Sequence, residues 1–132
     1  MKRSSGVLMH ISSLPGDYSA GTLGKNAREW VDFLADCHFS YWQVLPFCLP
    51  DEYNSPYQSF SAFSGNPNFI DLELLAADGL ITDEELSQAK QTSPYLCEFE
   101  RLSKERMALL GKAAARFQNH SDMDHFFHAH PH

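Results

Sequence analysis

Apolar and polar residues recur in this chain with two different periods, and the first 46 residues predict a strand, a helix and a second strand. Residues 7–11 form a short apolar run closed by turn-forming residues 12–16, a pattern typical of a buried strand that feeds a loop. Residues 40–46 are rich in aromatic and branched side chains and predict a second strand that ends at Pro46. Between the two strands, four apolar residues recur at helical spacing with charged residues around them: Ala27, Trp30, Val31 and Leu34.

The order strand, helix, strand predicts a βαβ unit with two parallel strands. Because a parallel pair is buried on both faces, such a unit needs further strands around it. The pattern therefore predicts an α/β fold, either a doubly wound sheet or a (β/α)8 barrel, of which this chain contains the first part.

The second half of the chain is predicted to be mainly helical. Residues 69–75 alternate between apolar and acidic side chains and end at Asp78-Gly79. At residues 82–85 a capping box is predicted, in which the Thr82 hydroxyl accepts a hydrogen bond from the Glu85 amide. The helix that it opens should run to about residue 91, because Ser93-Pro94 then breaks it.

A longer helix is predicted over residues 98–117, with these apolar residues on one side: Phe99, Leu102, Leu109, Leu110, Ala113 and Phe117. Residues 122–132 look like the opening of one more helix, so we expect that the chain is truncated there. The expected division is residues 1–80, with both strands, the crossover helix and the loop after them, and residues 81–132, a helical segment.

Composition and charge narrow the classes of function. The chain has 132 residues, 43% of them hydrophobic, 13% aromatic and 20% charged, which is typical of a folded domain. Seventeen acidic against ten basic residues give a formal charge of −7, which disfavours nucleic acid and anionic membranes as partners. Neither a signal peptide nor a membrane span is indicated, and the protein is expected to be cytoplasmic.

Cysteine and histidine spacing predicts neither a disulfide framework nor a metal site. The three cysteines have no CxxC spacing, so partly buried thiols are expected. Five of the seven histidines lie near the end of the chain, and three of them could together bind a metal ion: His128, His130 and His132. Without accompanying Cys or an HExxH motif, they are interpreted as incidental.

The most informative segment is the long loop of residues 46–67, rich in Pro, Ser, Asn and aromatic residues. Loops of this length in compact domains are usually functional. Its residues 54–63, NSPYQSFSAF, combine aromatic rings with uncharged donors and acceptors, which suits a pyranose: the apolar CH face stacks on a ring, and the hydroxyls bond to Asn, Gln and Ser. The alternative is structural, with Phe60 and Phe63 in the core and the polar residues capping turns. His10, at the end of the first predicted strand, is expected in the core rather than in a site.

The order of these residues resembles a known family. The run YWQVLP at residues 41–46, followed by NSPYQSFSAFSGNP at residues 54–67, closely resembles the signature of the amylomaltases, glycoside hydrolase family 77. The resemblance extends to GVLMH at residues 6–10, SLPG at residues 13–16 and IDLELL at residues 70–75. It is nearly continuous from residue 6 to about residue 80.

The resemblance implies the N-terminal part of a (β/α)8 barrel whose active site lies at the carboxyl ends of the strands. It implies 4-alpha-glucanotransferase activity on α-1,4-glucans such as maltose, maltodextrins and starch or glycogen fragments, without a cofactor. Tyr57 would line the glucan cleft near the scissile bond with Ser55 beside it, and Asn54 and Gln58 would either touch sugar or hold the loop.

The resemblance also implies that no catalytic residue lies in this chain. In the family an aspartate attacks the anomeric carbon, a glutamate protonates the leaving oxygen and a second aspartate holds the sugar, all three from later strands. Two alternatives of other classes stay open: a non-catalytic glucan-binding module, and a helical interaction domain built on residues 98–117.

Overall fold

Two short strands run parallel and are joined by a helix. The computed structural model describes residues 3–53, 55–59, 61, 63–117 and 121–129. In it β1 (Gly6–Leu8) pairs with β2 (Tyr41–Gln43) in parallel register, and α1 (Lys25–Asp36) makes the crossover. The predicted βαβ unit is therefore confirmed.

Both strands are shorter than the apolar runs that predicted them. Backbone pairing continues only to the bond from the Met9 amide to the Gln43 carbonyl, at 3.0 Å. After it, Ile11–Ser13 forms a 3₁₀ turn whose first residue is buried. The prediction of a strand through residue 11 is wrong. An apolar run indicates that its residues are buried, and residues of a buried turn are apolar for the same reason as those of a buried strand.

α1 is amphipathic as predicted, but fewer of its apolar residues are buried than the sequence pattern indicated. Ala27 and Leu34 are buried and Trp30 is half-buried, whereas Val31 is 49% exposed. In the described part of the chain the neighbouring residues therefore cover one side of the helix only.

The apolar-acidic segment at residues 69–75 is helical in its second part. A 3₁₀ turn, Pro67–Phe69, precedes α2 (Leu72–Ala77). Asp71 is the N-cap of α2, and its Oδ1 accepts a hydrogen bond from the Leu74 amide at 3.1 Å. This cap stabilises a helix, because the Leu74 amide has no partner within the helix. The alternation of apolar and acidic side chains alone did not indicate which element would form.

The predicted capping box is present at the start of α3 (Asp83–Ala89). The Glu85 amide donates to Thr82 Oγ1 at 3.2 Å, and the Thr82 amide donates to Glu85 Oε2 at 3.0 Å. The long helix is also present: α4 (Phe99–Arg101) continues through a π-helical turn, Leu102–Arg106, into α5 (Met107–Phe117). α6 (Ser121–Ala129) follows.

Two clusters of buried side chains form the core. The first joins the turn after β1 to α1 and to the turn before α2: Ile11, Leu14, Ala27 and Phe69. The second joins α2 to α5 and so links residues on either side of position 80: Leu72, Ile81, Leu109, Leu110 and Ala113. Phe99, predicted on the apolar side of the long helix, is 48% exposed and so lies outside both clusters.

Within the described ranges, no helix is long and apolar enough to cross a membrane.

Candidate functional site

The 46–67 loop leaves the carboxyl end of β2 and returns to the 3₁₀ turn before α2. Its base is closed by the Asn66 amide, which donates to the Phe47 carbonyl at 2.9 Å. Farther out, Pro50 and Ser59 form an isolated antiparallel bridge, and the Asp51 amide donates to the Gln58 carbonyl at 3.0 Å. The loop is thus fastened at two levels, which fixes its tip relative to its base.

Serine hydroxyls stabilise the interior of this loop. Ser59 Oγ lies 2.9 Å from the Leu49 carbonyl and 3.0 Å from the Ser61 carbonyl, within donating distance of both. The Phe63 amide donates to Ser61 Oγ at 3.2 Å. These two serines therefore serve the loop's own backbone, as in Ser/Thr turns generally.

The tip of the loop presents Tyr57 to solvent. The Gln58 amide donates to the Ser55 carbonyl at 3.1 Å, which closes a turn around Pro56 and Tyr57. The Tyr57 side chain is 71% exposed, Ser55 is half-buried beside it, and the Gln58 side chain is exposed while its backbone holds the turn. Asn54, the remaining candidate from the sequence, lies outside the described residues, as does Phe60.

The structural alternative for Phe63 is wrong. Its side chain is fully exposed, and Tyr53 is 78% exposed in the same loop. Neither residue was among the four predicted sugar contacts, although Phe63 belongs to the run of aromatic and uncharged polar residues whose composition suits a pyranose.

A cavity of about 250 Å³ lies between the 46–67 loop and the turn after β1. His10 and Ser13 line it from the turn, and Pro46, Pro56 and Asn68 line it from the loop and its return. His10 packs edge-on against Phe69, with ring centres 5.4 Å apart, and burial lowers its pKa, which favours the neutral imidazole. His10 Nδ1 and Asn68 Oδ1 are both buried without a hydrogen-bond partner among the described residues.

The charge around the loop suits a neutral, hydroxyl-rich ligand. Residues 38–67 contain neither Lys nor Arg, and their only carboxylates are Asp51 and Glu52. Asp51 Oδ1 accepts a hydrogen bond from the Tyr53 amide at 3.0 Å and so shapes the loop. An anionic ligand would find no cation here to pair with.

Two carboxylates near the core clusters, Asp71 and Glu85, form hydrogen bonds and ion pairs that stabilise the fold. Asp71 accepts from Thr22 Oγ1 at 2.5 Å in addition to capping α2. Glu85 pairs with Arg116, at 2.7 Å, and with Lys112, at 3.4 Å, and these partners and the capping box lower the pKa of Glu85 to about 2. Such carboxylates stabilise helices and are poor candidates for proton transfer at neutral pH.

Metal ligation finds little support in the described residues. Within residues 3–53, 55–59, 61, 63–117 and 121–129, no three His, Cys, Asp or Glu side chains form a group that could hold a metal ion. His130 and His132, two of the three histidines singled out at the end of the chain, lie outside the described residues.

Comparison with known proteins gives a consistent result. The model of a family described as 4-alpha-glucanotransferase, glycoside hydrolase family 77, matches residues 9–132. A 4-alpha-glucanotransferase of Streptococcus pneumoniae serotype 4 is 44% identical over 126 residues, which are 95% of this chain and 25% of that protein. One from Thermus thermophilus is 48% identical over 85 residues, or 64% of this chain and 17% of that protein.

A solved structure is similar over the same region. The amylomaltase from Streptococcus agalactiae in complex with acarbose superimposes with a TM-score of 0.88 at 38% identity, covering 97% of this chain and 26% of that one. The chain thus spans about a quarter of the length of these relatives.

Proposed function

This chain belongs to glycoside hydrolase family 77, the 4-alpha-glucanotransferases, and from that premise we propose that its 46–67 loop forms one wall of a cleft for α-1,4-glucans. The enzyme of which this wall is part moves glucan segments between maltodextrins. The observation that carries the proposal is the exposed Tyr57 ring at the tip of a loop fastened at its base and middle.

The fold that we propose for the whole enzyme is a (β/α)8 barrel. In support of it, β1 and β2 are parallel with a crossover helix, and the two loops that follow their carboxyl ends lie around one cavity. Barrel enzymes carry their active sites on that rim. We assign residues 1–80 to the barrel and its 46–67 loop, and residues 81–132 to a helical segment that packs beside it through Ile81 and α5.

We assign the sugar contacts to the loop tip. The Tyr57 ring stacks on the CH face of a glucosyl unit, and the Ser55 hydroxyl bonds to a sugar hydroxyl at its edge. Gln58 has an exposed side chain on the same turn and is assigned a hydrogen bond to the next unit. Asn54 is assigned to the glucan on the family resemblance alone.

The chemistry is a retaining double displacement, in which an enzyme carboxylate displaces the leaving sugar and a second sugar then displaces the carboxylate. Nucleophile and acid/base must lie about 5–5.5 Å apart across the scissile bond. Asp51 shapes the loop, Asp71 caps α2, and Glu85 and Glu98 pair with arginines. Because the family resemblance also puts both catalytic carboxylates on later strands, we assign neither role to this chain. The proposed substrates are maltodextrins and fragments of starch or glycogen, the enzyme takes no cofactor, and its proposed location is the cytoplasm.

A chimaeric enzyme tests the proposal. Residues 1–132 replace the matching quarter of the Streptococcus agalactiae amylomaltase, and transfer is measured as release of glucose and longer maltodextrins from maltotriose. We expect a folded chimaera with transferase activity. A chimaera that folds, by circular dichroism and a cooperative melt, yet has no turnover would overturn the proposal.

A matched pair of serine variants in the chimaera tests the loop tip. Ser55→Ala should lower kcat/KM about 2- to 10-fold, the usual value of one neutral hydrogen bond. Ser64→Ala is the control, because Ser64 is an exposed serine of the same loop whose hydroxyl donates to the Ser61 carbonyl, at 3.4 Å. Equal effects of the two variants would remove Ser55 from the site.

A further inference from the structure

Arg106 is a buried cation on the apolar side of the long helix. Its side chain is 5% exposed, and it lies between the buried residues Leu102 and Leu109 on the same face. Within the described ranges Arg106 takes part in no ion pair, in contrast to Arg101 and Arg116 on the same helix, which pair with glutamates. Burial lowers the pKa of Arg106 to about 10, an effect that the nearby Asp71 charge partly offsets.

Such an arrangement works against stability, because a guanidinium removed from water without a carboxylate loses more than its hydrogen bonds return. The apolar stripe predicted from the sequence passes over position 106, and a leucine there would continue it. A charged residue at a position where local preference favours an apolar one points to a role other than packing.

The guanidinium instead bridges two backbone segments far apart in the sequence. Nη1 donates to the Tyr18 carbonyl at 2.9 Å, and Nη2 donates to the Ile70 carbonyl. Both donors belong to one rigid planar group, so the fork fixes the separation of the two carbonyls in a way that a flexible amine does not. The π-helical turn Leu102–Arg106 ends at this residue, and such turns are frequent at functional sites.

Each bridged carbonyl anchors one of the loops that follow the strands. Ile70 comes directly after the Pro67–Phe69 turn, where the 46–67 loop returns to the body of the protein. Tyr18 belongs to the 14–24 loop after β1, and the carbonyls of residues 16–19 in this loop are all bound by the helical segment. The Gly16 carbonyl accepts from Gln91 Nε2 at 2.8 Å, and the Ser19 carbonyl accepts from the Glu98 amide at 2.9 Å.

We infer that Arg106 is a positioning residue for the glucan cleft, because its guanidinium holds the return of the 46–67 loop at a fixed distance from the 14–24 loop and so sets where the Tyr57 ring stands. It does not touch substrate. The inference rests on the proposed function of that loop and adds to it a remote residue on which glucan binding depends.

The test is a double-mutant cycle in the chimaeric enzyme. Arg106→Met keeps an unbranched apolar side chain and removes the donors, and it should lower kcat/KM for maltotriose on the order of 5- to 20-fold, because displacing the Tyr57 ring should not cost more than removing it. In a Tyr57→Ala background the same change should cost less than about 3-fold, because the ring that it positions is gone. Hydrogen exchange of the loop amides, including that of Asn66, should speed up in Arg106→Met.

Arg116→Met is the matched control, because Arg116 lies on the same helix and donates to the Leu80 carbonyl at 2.8 Å without reaching the 46–67 loop. It should lower Tm while leaving KM unchanged. An Arg106→Met variant with the same outcome, a lower Tm and an unchanged KM, overturns the inference, as does a loss of equal size in both Tyr57 backgrounds.

Should Arg106→Met give no folded enzyme, the cycle is run with Arg106→Lys, whose single ammonium cannot reproduce the fork. Equal losses in the two backgrounds, or no loss at all, again overturn the inference. Its failure is distinguishable from failure of the proposed function: an additive cycle removes the role of Arg106 alone, whereas an inactive chimaera with Arg106 intact removes the proposed function.

Discussion

Replacing Tyr57 by alanine is the perturbation whose size follows most directly from the structure. The side chain is 71% exposed, so most of the ring is free to receive a sugar. An aromatic side chain offers about 200 Å² in all, so about 140 Å² is free and a glucosyl unit on one face covers about half of it, roughly 70 Å². At about 25 cal/mol per Å² this contact contributes about 1.8 kcal/mol.

The expected result is a fall in kcat/KM for maltotriose of about 20-fold in the chimaeric enzyme, since each 1.36 kcal/mol corresponds to a factor of about ten. By analogy with bases stacked on aromatic side chains, a range of about 1–3 kcal/mol places the loss between roughly 5- and 150-fold. Initial rates of glucose release over a range of maltotriose concentrations separate the effect on KM from that on kcat.

Two further variants identify the part of the side chain that acts. Tyr57→Phe keeps the ring and should stay within about 3-fold of the unaltered enzyme, because stacking does not need the hydroxyl. Tyr95→Ala removes a tyrosine that is 86% exposed outside the loop and should have no effect. The reasoning is refuted if Tyr57→Ala stays within twofold of the unaltered chimaera, or if Tyr57→Phe is as damaging as Tyr57→Ala.

Three other outcomes are expected. Leu72→Ala should destabilise the protein by about 2–5 kcal/mol, because Leu72 is 1% exposed, whereas Leu74→Ala on the same helix, at 43% exposure, should cost far less; urea unfolding compares them. Folding lowers the pKa of Glu85 from 4.5 to about 2. The ionised Glu85 side chain therefore stabilises the fold above about pH 4.5, and this contribution is lost as the pH falls toward 2. Glu85→Gln should lower Tm at pH 7 and have little effect near pH 2. The 132-residue chain alone should not turn over maltotriose, and calorimetric titration with maltodextrins should show no millimolar binding; binding without turnover would favour a non-catalytic glucan-binding module.

The βαβ unit and the capping box were predictable because the patterns that indicate their elements lie within short stretches of sequence. Thr82 and Glu85 are three residues apart and satisfy each other's backbone amides wherever the helix lies. The crossover helix carries its burial pattern in its own periodicity, with Ala27 and Leu34 on one face. The limits of β1 were not predictable, because Ile11 is apolar whether it is buried in a strand or in a turn.

The candidate site residues were predicted unevenly, for a related reason. Tyr57, Ser55 and Gln58 stand on a turn that their own residue types favour, and the family resemblance singled them out. The exposed Phe63 was open to two readings, since nothing in the sequence says whether another segment covers it. Arg106 was not predicted at all, because its partners are backbone carbonyls 88 and 36 residues away. Every residue has a backbone carbonyl, so the sequence does not indicate which ones a side chain will contact.

The sequence by itself indicated an α/β fold, because helix periodicity, capping and turn chemistry act between neighbours along the chain. Its resemblance to a family indicated that family and the residues that we propose for sugar contacts. Only the tertiary structure decided how the 46–67 loop is fastened, which rings stay exposed and what a cation does inside an apolar helix face. Those features depend on backbone groups brought together from distant segments, and the identity of a side chain does not report which carbonyl it will reach.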